Sequence, residues 1–147
     1  MKILIRNLQR HRSLNKESVL KTAGRILSLL EQTKAELSIM FVGDRRMKQL
    51  NTQYRGIRRT TDVLSFESAI PFIPDDADNV LGDIVISVPK AEAQAKEYGS
   101  GFYDEITRLL IHGTLHLLGY DHEQTTYKAR KMRKKEEELI DAIKKVD

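Results

Sequence analysis

Residues 102–122 read FYDEITRLLIHGTLHLLGYDH, and this stretch decides how the chain folds. Ile106, Leu109, Leu110, Ile111, Leu115, Leu117 and Leu118 recur at helical spacing from about Phe102 to Leu118. At ~100° per residue they leave one narrow polar stripe, made by Glu105, Arg108, His112 and His116. A helix that is apolar nearly all round is a buried central helix. Gly119 stands where a C-terminal helix stop is expected.

Upstream of this helix, strands and helices alternate. Residues 2–8 alternate apolar and polar and read as a strand. Residues 17–32 carry Val19, Leu20, Ala23, Ile26, Leu27 and Leu30 at helical spacing, behind Asn15 as N-cap. Residues 36–42 form a second strand, and a short helix over 44–54 turns Met47 and Leu50 inward. TTDVLSF, residues 60–66, is a third strand. Residues 67–80, with two prolines and three aspartates, form a loop. LGDIVISV, residues 81–88, is a fourth strand, and Pro89 suits the first turn of a helix reaching about Tyr98. Downstream, a last helix over 124–145 has a thin apolar seam of Met132, Leu139, Ile143 and Val146. The pattern predicts an α/β (α+β) fold: a single mixed sheet of about four strands packed with about five helices. Strand order is not written in the pattern.

The chain has 147 residues, which predicts one domain over 1–147. Apolar residues are 40% and charged residues 31%, and 25 basic against 21 acidic side chains give +4, so a disordered chain is excluded. The longest apolar run is too short to span a membrane. With no cysteine, disulfide scaffolds, thiolate metal sites and thiol catalysis are excluded. Arg6 interrupts an apolar start that is too short for a signal peptide, so a cytoplasmic location is expected.

Three of the four histidines fall within eleven residues: His112, His116 and His122. Positions i and i+4 share a helix face, so His112 and His116 can address one ion. Gly119 then lets the chain turn and bring in His122. Three imidazoles without thiolates suit zinc or another divalent transition metal. One Zn2+ held by three histidines keeps a fourth position for water, the arrangement of catalytic sites. His11, in a polar basic stretch, reads as exposed. The spacing also matches the metzincin protease motif H-E-x-x-H-x-x-G-x-x-H except at residue 113, where the catalytic glutamate is replaced by Gly113.

HGTLHLLGYDH resembles the signature of the YbeY family of bacterial endoribonucleases. NTQYRGIRRTTDVLSF, residues 51–66, and LGDIVIS, residues 81–87, resemble two further stretches of that family, in the same order and at similar distances. The resemblance covers essentially the whole chain. It implies a zinc-dependent endoribonuclease that prefers single strands, acting in small-subunit rRNA 3′ end maturation and ribosome quality control. It implies RNA and the small ribosomal subunit as partners, with neither DNA nor membrane. It also implies that His112, His116 and His122 bind the metal and that Arg55 is the active-site arginine. A guanidinium there is chemically sensible, since it can clamp two phosphoryl oxygens as charge builds on them. A metzincin-like protease and a ribosome-associated binding factor with a structural metal are the competing readings.

No general base is assigned. Asp121, Glu123 and Glu105 are candidates for supporting roles, and Asp83 reads equally as a strand-end hydrogen-bonding partner. Two basic clusters suit phosphate: Arg45 to Arg59, and Lys128, Arg130, Lys131, Arg133, Lys134 and Lys135 on the last helix. Glu136, Glu137 and Glu138 follow the second and can pair with it along the helix. Four Phe, five Tyr and no Trp predict limited base stacking, so shape and backbone carry recognition. Asp75, Asp76 and Asp78 lack the full calcium-loop pattern and read as a solvated loop.

Overall fold

The strand and helix periods of the sequence are realised in order. The computed structural model describes residues 1–67, 79–121 and 125–146. Its elements are β1 (Lys2–Asn7), α1 (Lys16–Leu29), β2 (Glu36–Val42), α2 (Asp44–Arg55), β3 (Val63–Phe66), β4 (Val80–Ser87), α3 (Val88–Tyr98), α4 (Phe102–Leu117) and α5 (Thr126–Val146). Most of the 67–80 loop, with Asp75, Asp76 and Asp78, lies outside the described residues, as do His122 and Glu123.

The sheet order is β1-β2-β4-β3. β1, β2 and β4 are parallel; β1 reaches β2 through α1, because parallel neighbours need a crossover. β3 is antiparallel to β4, with Val63 opposite Ile86 and Phe66 opposite Asp83. Among the described residues β3 therefore forms one edge of the sheet.

Alternation along the strands builds two cores. Leu37, Ile39 and Phe41 of β2 join Ile84 and Ile86 of β4 against α1, α4 and α5. On the opposite face, Val85 and Leu64 pack with Val42 and with Met47 of α2. α4 is the central helix: Ile106, Leu109, Leu110, Ile111 and Leu115 are each at most 2% exposed. Burying such a side chain stabilises by about 1.5–3 kcal/mol. Gly113 lets α4 approach the sheet closely. A Cβ built there would lie 3.1 Å from two Ile84 side-chain carbons. The seam of α5 is realised as well, with Met132, Leu139 and Ile143 buried.

Three details differ from the sequence pattern. Leu20 belongs to the apolar pattern of α1 but is 46% exposed. Val19, Ala23, Ile26 and Leu27 already fill the buried face, and Leu20 lies one step around the helix from it. The helix itself begins behind Asn15, whose Oδ1 accepts the Ser18 N–H at 3.1 Å, and ends at Leu29, before Glu31 takes a left-handed backbone (φ 58°). β3 begins at Val63 rather than Thr60. The Asp62 carboxylate accepts the Val63 N–H at 2.8 Å, and the Thr60 hydroxyl turns to Asp44 at 3.2 Å, which makes a bend of what reads as strand.

The segment between β1 and α1 is pinned to α3 and α4. His11 and Arg12 each contact Glu92 at 3.1 Å, and the Arg12 guanidinium lies 3.9 Å above the Phe102 ring. The His11 hydrogen bond, helped by Arg12, holds the Glu92 carboxyl below its ordinary range.

Candidate active site

One turn of α4 places His112 and His116 side by side, each half-buried, with their Nε2 atoms 3.1 Å apart and ring planes at 73°. On the other side of the His112 ring, Nδ1 lies 3.2 Å from Glu136 Oε1 on α5. An ionised carboxylate only accepts, so the Nδ1–H of His112 is the donor.

Both rings open onto a polar cavity of about 350 Å3. Its other walls come from Arg55 at the end of α2 and from Asp62 to Ser65 at the sheet edge. α2 stops at Arg55 because Gly56 caps it, donating its N–H to Thr52 O at 3.1 Å. Buried Asn51 donates to Arg59 O at 2.8 Å and so fastens the basic loop that follows. Arg55 is thereby carried, exposed, to the same cavity as the histidine pair. A larger cavity of about 500 Å3, between α1, α4 and α5, holds neither histidine. The polar cavity is the better candidate because its ligating and anion-binding atoms converge.

Behind the cavity wall lies a charged relay. Asp62 Oδ2 accepts from Gln94 at 3.1 Å and sits 4.0 Å from Arg108. Arg108 in turn grips Glu105 with two nitrogens, Nη2 to Oε2 at 2.9 Å. Glu105 is 2% exposed, and its hydrogen bonds push the Arg108 guanidinium still higher than its ordinary range, so Arg108 stays charged. Glu105 is thus a structural anion rather than a group facing the cavity. Removing its partner leaves a buried charge unpaired. Arg108→Ala is expected to lower stability by about 2–3 kcal/mol, less than for a fully buried pair because Arg108 is 36% exposed. Urea denaturation measures this, and a loss below about 0.5 kcal/mol would contradict it.

The other sequence candidates are scattered. Asp83 is exposed on β4 opposite Phe66, and Asp121 lies with Tyr120 and Lys128 around a separate small cavity. Among the described residues, no three His, Cys, Asp or Glu side chains form a metal-sized group; His122 is outside that set.

A family model described as Endoribonuclease YbeY matches residues 4–144. The chain belongs to the YbeY endoribonuclease family. Among YbeY relatives, one from Thermodesulfovibrio yellowstonii is 38% identical over 98% of this chain and 99% of its own length. One from Desulfitobacterium hafniense is 49% identical over 77% of this chain and 74% of its own, and one from Persephonella marina 42% over 97% and 93%. A Thermotoga maritima protein solved in solution superposes with a TM-score of 0.64 at 27% identity, covering 94% of this chain and 86% of that one.

Two residues around the histidine pair of this YbeY-family chain escape the sequence reading. Asp62 reads as strand but caps β3 at the cavity wall. Glu136 reads as one of three glutamates pairing with the basic residues of its own helix, yet it lies on the α5 seam, four residues after Met132 and three before Leu139. That misplaced carboxylate on an apolar face was the available signal. Among the described residues, no helix is long and apolar enough to cross a membrane.

Proposed function

We propose that the chain is a zinc-dependent endoribonuclease that prefers single-stranded RNA, matures the 3′ end of small-subunit rRNA and serves ribosome quality control in the cytoplasm. Family membership supports the reaction. The observation that carries the site is the cavity itself, which Arg55 lines together with the His112–His116 pair.

The chemistry of the histidine pair fits a metal. Around a tetrahedral zinc with Zn–N bonds of about 2.0–2.1 Å, ligand nitrogens lie roughly 3.3 Å apart. The two Nε2 atoms here are 3.1 Å apart. His112, His116 and His122 would hold the ion. Bound there, zinc supplies Lewis-acid chemistry, neutralising phosphoryl charge and raising the acidity of water.

The chain's own residues do the rest. Arg55 presents a planar fork to two phosphoryl oxygens and holds the scissile phosphate toward the histidines. Beside it, Tyr54 is 60% exposed and leans on Phe66, ring centroids 5.1 Å apart. This gives a base a stacking surface next to the phosphate, which composition alone did not suggest. The exposed Arg45, Arg46, Arg58 and Arg59 extend the positive path along α2. On α5 Lys135 pairs with Glu138 at 3.7 Å, and the exposed Arg133 and Lys134 beside it offer positive charge to the RNA backbone.

Gly113 disfavours the protease reading. It lines the cavity without a side chain, so no carboxylate stands at the proteolytic position, and a Cβ there would crowd Ile84.

The test is cleavage of an end-labelled small-subunit rRNA precursor by zinc-loaded protein, with Arg55→Ala beside it. Arg55→Ala is expected to cut about 10²–10³-fold more slowly while binding RNA within about threefold of wild type, as loss of one transition-state donor predicts. An unchanged rate would remove Arg55 from the mechanism, and no cleavage by wild type with RNA still bound would favour the binding-factor reading.

A further inference from the structure

We infer that Glu136 is a positioning residue for the metal centre, fixing His112 in the tautomer whose Nε2 faces the cavity as a lone pair. The inference deepens the zinc reading and rests on it. Three observations carry it.

The contact is long-range. Glu136 is 24 residues from His112, and the carboxylate meets Nδ1 at 3.2 Å across the α4–α5 interface. Both side chains are largely shielded, 23% exposed for His112 and 20% for Glu136. Glu136 also sits where an apolar residue belongs. Met132, Leu139 and Ile143 on the same seam are buried, while Glu137 and Glu138 point outward. A carboxylate turned inward costs desolvation unless it is hydrogen-bonded, and the His112 N–H supplies that bond. Finally, the two ring nitrogens of His112 have distinct partners. With Nδ1 carrying the proton, Nε2 is left as the acceptor nitrogen, 3.1 Å from His116 Nε2. That acceptor's lone pair is the one a metal would take.

A carboxylate behind a metal-binding imidazole orients the ring and raises its basicity, and losing it typically costs about 10–100-fold in metal affinity. Glu136→Ala is therefore expected to weaken zinc binding about 10–100-fold in competition with a chromophoric chelator. Glu136→Gln keeps an acceptor for Nδ1–H but not the charge, so it should lose less. Glu137→Ala, one residue along and exposed, should match wild type. Nitrogen-15 spectra of the zinc-free protein with neutral rings give a second readout. Wild type and Glu136→Gln should show His112 protonated at Nδ1, and Glu136→Ala should show it redistributed between the two nitrogens.

Circular dichroism tests whether each variant is folded, and if Glu136→Ala does not fold, Glu136→Leu, which suits the apolar seam and offers Nδ1–H no acceptor, carries the test. Wild-type zinc affinity in Glu136→Ala, or in Glu136→Leu when it stands alone, overturns the inference, as does His112 protonated at Nε2 in wild type. His116→Ala in the same titration separates the two claims. If it too binds zinc like wild type, the zinc reading itself has failed; if it is impaired while the Glu136 variants are not, only the role of Glu136 has failed.

Discussion

His116→Ala is expected to leave a folded protein that neither holds zinc nor cuts RNA. The side chain is half-buried at the rim of a polar cavity, so its removal creates no closed apolar void. The stability cost should stay near 1 kcal/mol, the centre of the usual distribution for point variants. The functional cost is of another order. One of the two converging Nε2 atoms disappears, and the loss of a ligand exceeds the about 10–100-fold that a supporting partner costs. Without the cation, Arg55 would still bind a phosphate but would face no Lewis acid, and cleavage should fall to background. Thermal melting, chelator competition and the end-labelled precursor assay measure the three quantities on one preparation. Equal cutting by His116→Ala and wild type would remove the histidines from the chemistry and point to a contaminating nuclease.

Gly82→Ala should be strongly destabilising. Gly82 sits in β4 with φ 142°, a backbone that side chains rarely adopt. A Cβ there would lie 2.1 Å from the carbonyl oxygen of Phe66 and 3.1 Å from the Glu67 Cα. Both are backbone atoms that cannot rotate away. β3 must either separate from β4 or carry β4 into a strained shape. Overpacking costs about 1–3 kcal/mol and the strained backbone a similar amount, so a total loss of about 3–5 kcal/mol is expected. That is a large part of the 5–15 kcal/mol typical of a domain. Since β3 also walls the cavity, cleavage should fall together with stability. Gly24→Ala in α1 is the contrast: the nearest atom to a new Cβ is Met1 Sδ at 3.7 Å, and helix propensity predicts a gain of about 0.5–1 kcal/mol. Urea midpoints for the two should move in opposite directions, and a Gly82→Ala midpoint equal to wild type would refute the clash.

What the sequence made legible was whatever repeats with a period. The all-round apolar helix is the central α4, the seam of Met132, Leu139 and Ile143 is buried, and the i, i+4 histidines do share a face. Strand order stayed hidden because β3 pairs with β4 across a long connection, and no local pattern says that it enters antiparallel at an edge. Non-local polar contacts stayed hidden for the same reason. Glu136 finds His112 across two helices, and Asp62 gains its role from Gln94 and Arg108, more than thirty residues downstream. Arg55 stood out only through family resemblance, being one arginine among several until the fold carried it to the cavity.

The contact between Gly113 and Ile84 has an evolutionary consequence. A Cβ at position 113 meets Ile84 side-chain carbons at 3.1–3.2 Å, so a carboxylate there obliges Ile84 to give by a few tenths of an ångström. A smaller residue at 84 relieves that crowding, but when it comes first it opens a void beneath α4. The two positions are therefore coupled, and the order in which they change sets the cost of moving this scaffold toward the protease motif it otherwise spells.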